Sequence, residues 1–243
     1  MSERIEPGYK EERQLMRIAL RDRKRFLDRE VDELRNTLIG MSRRVGEQVR
    51  HATKALRSGD LDLAKQVRRD DDLIDALELQ VDSKCERILA LYHPVATDLR
   101  ILFSAIKINN DLERIGDYAK NIAKTVPDIS GHQDVVDLIR VQEMADISCG
   151  ILDRAREAYE RQDRKLARQL FERDRWLGNV YRDAFDFLIH QCGLHPEKGA
   201  ALFQMVMTVK AYERTADHAV NIAENVVFIV EGTDVRHPQT ERL

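Results

Sequence analysis

This 243-residue sequence predicts an all-α fold, a tandem repeat of two three-helix bundles. Three observations carry that prediction. Apolar residues recur at alternating three- and four-residue steps nearly everywhere, which lays one apolar seam along each helix. Pro and Gly number only five and eleven, so turns are few and elements long. The phrase ERIGDYAKNIA, Glu113 to Ala123, returns as ERTADHAVNIA, Glu213 to Ala223, with seven of eleven positions identical in the same register. A repeat of about 100 residues with three helices per unit follows, giving six long helices related by a pseudo-two-fold. Alternating three/four spacing favours shallow crossing angles and up-down bundles. No segment alternates with period two for long enough to predict a strand.

Residues 1–25 read as an N-terminal extension. The stretch Lys10 to Arg29 is rich in Lys and Arg, but Glu11, Glu12, Asp22 and Asp28 interrupt it. It reads as a solvated helical face rather than a DNA arm, with room for a weak attraction to anionic lipid. The first repeat spans 26–126. Its first helix carries Leu27, Val31, Leu34, Leu38, Met41, Val45, Val49, Ala52 and Leu56. Ser58 to Asp60, "SGD", stops that helix and caps the next. The second helix shows Ala64, Val67, Ile74, Leu77, Val81, Cys85, Ile88 and Leu91, and His93–Pro94 breaks it. The third carries Ile101, Ala105, Ile108, Leu112, Ile115, Ala119, Ile122 and Val126.

Residues 127–134, "PDISGHQD", read as the linker. The second repeat spans 135–231. Its helices carry Leu138, Val141, Ala145, Leu152, Ala155 and Tyr159; then Leu166, Leu170, Leu177, Val180, Ala184 and Phe187; then Leu202, Met205, Val209, Tyr212, Ala219, Ile222, Val226 and Ile229. "RQD" at Arg161 to Asp163 stands where "SGD" stood, and "CGLHP", Cys192 to Pro196, is the second breaker. Residues 232–243 form a polar tail.

A net charge of −3 supplies no global field for nucleic acid. Cys85, Cys149 and Cys192 are far apart and show no zinc spacing, which points to buried thiols in a reducing compartment. The start lacks an apolar signal region, and no apolar run approaches the roughly 18 residues of a membrane span. A cytoplasmic protein, at most peripheral to a membrane, is expected.

The repeated phrase carries the chemistry. Glu113 and Asp117 are four apart, so both carboxylates share one helix face, Cβ atoms roughly 5–6 Å apart and directed away from the seam. Glu213 and Asp217 repeat the arrangement. Like charges so placed cost about 0.2–0.5 kcal/mol, and the small Gly116 and Ala216 leave room for something to approach the backbone. Carboxylate oxygens favour hard or borderline cations such as Mg²⁺, Mn²⁺ or iron over a thiolate zinc site. Asp71 and Asp75 on the second helix, also four apart, are candidates for further ligands. The matching place in the second repeat has Asp174 but Gly178, an incomplete half.

Two plainer readings stand beside this one. Such pairs decorate solvated helix faces, and shared ancestry with capping or bundle contacts accounts for Asn121 and Asn221. Di-iron sites of the ferritin type need Glu-x-x-His pairs, and none of the seven His lies three after a Glu. There is no H-E-x-x-H, phosphate-cradling Gly-rich loop or G-x-S-x-G. His218, matched by Tyr118 in the first repeat, reads as surface or packing. His51, with Lys54 one turn on, has the look of a phosphotransfer histidine, but the fourth helix does not echo it.

Pro94 to Ala123, "PVATDLRILFSAIKINNDLERIGDYAKNIA", resembles the first-repeat signature of the PhoU family of phosphate-uptake regulators. Ala211 to His237 resembles the second, and Ala64 to Glu78 is similar to the stretch before the first. The resemblance runs from about Phe26 to His237 and leaves the N-terminal extension outside it. It implies a cytoplasmic, non-enzymatic regulator associated with the phosphate ABC transporter and the phosphate-sensing histidine kinase, damping uptake and the starvation response when phosphate is plentiful. It also implies homodimers, and metal ions (Mg, Mn, Fe or Zn) at Glu113, Asp117, Glu213 and Asp217, with Asp71, Asp75 and Asp174 in support. The pseudo-two-fold is expected to set both acidic patches on one broad face suited to docking a partner. The competing expectations are a histidine phosphotransfer module using His51, and a structural bundle without metal.

Overall fold

The computed structural model describes residues 7–235, with side chains described for 21–171 and 178–235. Every regular element among them is helical: α1 (Pro7–Ser58), α2 (Leu61–Tyr92), α3 (Ala96–Ile129), a short α4 (Gln133–Val136), α5 (Val141–Arg161), α6 (Arg164–Leu194), a 3-10 turn (Pro196–Lys198) and α7 (Gly199–Glu231). Helix α1 starts well inside the expected extension and runs without interruption into the first repeat.

The seam of α1 is buried at every expected position from Leu27 to Leu56. It packs on α2, α3 and α5; α5, α6 and α7 pack on one another in turn. The broadest contact joins α3 to α7. These two run antiparallel: Lys107 lies over the Phe228 ring, Asp111 meets His218, and Gln204 donates to Asp128. The Tyr118 and His218 rings, equivalent positions of the two repeats, meet at 5.8 Å. Contact between equivalent positions on two antiparallel helices is the arrangement a local two-fold between the repeats would give.

The two interhelix turns show why unlike sequences give like geometry. Gly59 has φ +67°, and Asp60 accepts from the N–H groups of Asp62 and Leu63. In the second repeat Gln162 takes the left-handed conformation at φ +51°, and Asp163 caps Lys165 and Leu166. The shared aspartate cap sets the turn.

Several boundaries differ from expectation. Pro127 lies inside the last turn of α3, where its missing N–H removes a single helical bond. The expected linker is therefore partly helix, and α4 inserts the buried Val135 and Val136 under the turn. Leu138 precedes α5 and is exposed; Leu91 and Phe187, expected in seams, are exposed near helix ends. Pro94 sits in the connection before α3, and Pro196 opens the 3-10 turn. Leu177 lies outside the residues with described side chains. Cys85 and Cys149 are buried and Cys192 is half-buried; all three are free thiols. No helix among the described residues is long and apolar enough to cross a membrane.

Candidate functional site

Helices α2 and α3 pack side by side, and the repeated phrase of α3 faces α2. Glu113 is therefore not directed outward as the spacing suggested: its side chain is 20% exposed, against 39% for Asp117. The seam covers too narrow an arc to decide this. A neighbour packed beside it covers the next stripe of the helix as well.

The surroundings of Glu113 are acidic. Burial first, then the Asp117 charge, push its carboxyl up to about 7, with Glu78 adding and Arg114 opposing. Burial likewise raises Glu78, with Asp82, Asp75 and Asp117 adding to the effect. Asp71 is raised by burial that outweighs its bond to Lys120, and Asp75 and Asp117 push the same way. Thus Asp71, Asp75, Glu113 and Asp117, all anticipated, belong to one electrostatic neighbourhood, and Glu78 and Asp82 join it. As the side chains stand, no three of the described His, Cys, Asp or Glu groups are close enough together to hold a metal ion.

Cations thread this cluster. Arg114 lies 3.6 Å from both Glu113 and Asp117 and spans the pair. Arg214 does the same office for Asp217 at 3.2 Å. Both arginines stand at the same place in the repeated phrase, a signal that charge-pair reasoning passed over. Lys120 donates to Asp71 from one turn further along α3. Asn109, buried, donates to the Glu78 carbonyl and to Asp82.

The second repeat builds a different site. Glu213 is bonded to Lys210, and the matching place on α6 offers Gly178 and Tyr181 where α2 has Asp75 and Glu78. These residues, with Arg182, Phe185 and Val209, line a 360 Å³ cleft between α6 and α7. The Tyr181 hydroxyl is turned inward to Ser148, 2.7 Å away. Asp174 lies outside the residues with described side chains. The first acidic pair thus belongs to the α2–α3 packing and the second to the α6–α7 packing.

Residues between the repeats do structural work. His218 meets Asp111 at 2.8 Å and Asn221 donates to the same carboxylate, which answers the packing reading of His218. Asn121 is exposed beside Lys124. His51 is exposed on α1, at a shallow cleft lined by Arg44, Glu47 and Asp70.

The pH dependence of folding carries a sign that follows from Glu113. Its carboxyl has a folded value near 7 against an ordinary 4.5. Below 4.5 it is protonated in both folded and unfolded chains. As pH rises towards 7 the unfolded chain releases the proton first, so the folded state loses ground. Glu113→Gln is expected to equal wild type near pH 4 and, without metal, to be more stable above pH 7 by on the order of 2–3 kcal/mol. Urea midpoints across that range check it; equal midpoints at pH 8 contradict it.

Known proteins match most of the chain. A family model described as PhoU domain matches residues 38–126 and again 141–226. The phosphate-specific transport system accessory protein PhoU homolog of Pseudomonas putida is 34% identical over 215 residues, covering 88% of this chain and 84% of that protein. The homolog of the same description from Aquifex aeolicus is 32% identical over 211 residues, 87% of this chain and 96% of its own. The crystal structure of PhoU from Pseudomonas aeruginosa superposes with a TM-score of 0.79 at 32% identity, covering 85% of this chain and 99% of that one. The phosphate transport system regulatory protein PhoU from Streptococcus pneumoniae gives 0.77 at 26% identity, covering 87% and 100%.

Proposed function

The chain belongs to the PhoU family, whose members are regulators rather than enzymes, and on that premise we propose that it is a metal-loaded adaptor in the control of phosphate transport. It would act in the cytoplasm, as a homodimer, between the cytoplasmic subunits of the phosphate ABC transporter and the phosphate-sensing histidine kinase. Membrane association would come through those partners. Its relatives' part in phosphate-specific transport and its regulation supports the phosphate link.

One observation carries the metal part: Glu113 is covered by α2 while Asp117 and Glu78 press on it with like charge. A bundle has no packing reason to bury a carboxyl there, where Leu or Gln would cost less. The donor set is all oxygen, which fits a hard or borderline divalent cation or iron. When bound, such a cation supplies the positive charge that relieves this repulsion. Asp75, Glu113 and Asp117 are the residues to hold it, with Asp71 and Glu78 alongside. In the second repeat Lys210 and Arg214 already balance Glu213 and Asp217, so a weaker or absent metal site is expected there.

Exposed apolar side chains offer docking area elsewhere on the surface. Phe103 and Phe203, equivalent in the two repeats, are both exposed, as is Met207. The test is to recover the full chain from cells at high and at low phosphate, with elemental analysis of the bait. Near-stoichiometric metal, and transporter or kinase subunits captured in a phosphate-dependent manner, are expected. Metal-free protein that captures neither set contradicts the proposal.

A further inference from the structure

The polar cluster continues behind the carboxylates. Lys120 reaches from α3 to Asp71 on α2, whose side chain is 2% exposed. Asp75 and Asp117 act on the same ammonium. Further in, Gln48 of α1 is 5% exposed, and neither of its amide atoms has a protein partner. Gln48 Oε1 and Asp71 Oδ1 each lie 3.5 Å from where a Cβ on Gly116 would stand, and Ile74 closes that space at 3.3 Å. Two acceptor oxygens thus face one small space that the missing side chain leaves free. The second repeat lacks these features: Val220 stands at the place of Lys120 and Ala216 at that of Gly116.

We propose that Lys120 is a tethered counter-ion that competes with a divalent cation for Asp71, so that metal entry and release of the Lys120 ammonium are one exchange. The inference rests on the metal reading above and adds its regulation. Lys120 bonds Asp71 Oδ2, while Oδ1 faces the space at Gly116; the ion enters at Oδ1, takes over neutralisation of the carboxylate, and the N–H···Oδ2 bond is given up. Gln48 Oε1, a neutral acceptor oxygen with no protein partner, faces the same space as Asp71 Oδ1 and shares the load. A buried carboxylate cannot be left bare without heavy cost, so Lys120 leaves only when a cation replaces it. The freed ammonium has a flexible four-carbon stem. It lies on the helical stripe of Glu113, Asp117 and Lys124. Lys124 and Lys210 already border the cleft between α3 and α7, together with the exposed Phe203 and Met207. Metal occupancy is thereby converted into positive charge on a face where a partner could read it.

Two measurements test this. In the wild-type protein, lysine acetylation followed by mass spectrometry is compared with and without Mn²⁺. The Lys120 rate is expected to rise about fivefold or more as its ion pair is broken, while exposed Lys124 holds constant. In parallel, calorimetric titration is expected to show Lys120→Gln binding Mn²⁺ about tenfold more tightly than wild type, a gain that Asp71→Asn removes. Mn²⁺ that binds while Lys120 stays unreactive, or binds Lys120→Gln with wild-type affinity, overturns the exchange alone. Absence of Mn²⁺ binding to wild type and to Lys120→Gln overturns the metal reading, and the exchange with it.

Discussion

Replacing Glu113 and Asp117 together by alanine is expected to give a folded protein that no longer gains stability from metal and no longer restrains phosphate uptake. The wild-type gain follows from linkage: a ligand at 100 to 1,000 times its dissociation constant adds about 3–4 kcal/mol. In a chain of this size that is about 6–16 °C in melting temperature. The double variant should forgo all of it. Without metal it should melt no lower than wild type at pH 8, because two mutually repelling acids, one of them covered, are gone. This opposite pair of signs separates a binding site from a structural charge pair, whose loss would lower stability in both conditions. Melting curves with and without Mn²⁺, and phosphate uptake by cells carrying the variant, check it. A variant that keeps the metal-dependent shift would remove these residues from the site.

Tyr212→Ala is expected to be the most damaging single core change, at about 3–5 kcal/mol, or roughly 10 °C. Tyr212 is the largest of the fully buried side chains, 0% exposed, and it pegs the two repeats together. Its hydroxyl meets Thr53 of α1 at 2.8 Å, and its carbonyl accepts from Ser148 of α5. The first repeat has Leu112 at the matching place, so the peg exists once. Tyr212→Phe should cost only about 1 kcal/mol, since Thr53 keeps the Val49 carbonyl as its acceptor. Urea midpoints of the two variants give the ratio. A small effect for Tyr212→Ala would mean that the bundles are held together elsewhere.

How far the sequence speaks differs between elements. Apolar spacing sufficed for α1, because a long helix packed against three neighbours must keep an unbroken seam, and every seam residue from Leu27 to Leu56 is buried. Near helix ends the same spacing misled. Leu91 and Phe187 keep the period but face solvent, although Leu188 beside Phe187 is fully buried. At Pro127 a helix breaker was too close to the C-terminus of α3 to break it. The acids Glu113, Asp117, Glu213 and Asp217 were visible because the phrase occurs twice. Their partners were not. Glu78, Lys120 and Gln48 sit on three helices, 72 residues of chain apart at the widest between Gln48 and Lys120, and no local pattern joins them.

Helices, duplication and acidic residues were legible along the chain, because these are local matters of period, cap and repeated phrase. Helix packing alone covers Glu113, joins Asp71 to Lys120, sets Asp71 and Gln48 at the space beside Gly116, and makes the two repeats build unlike sites. The reason is physical. A carboxyl's proton affinity and its partners depend on which helix packs beside it, and helix packing is chosen by apolar faces whose residues lie far away in the chain.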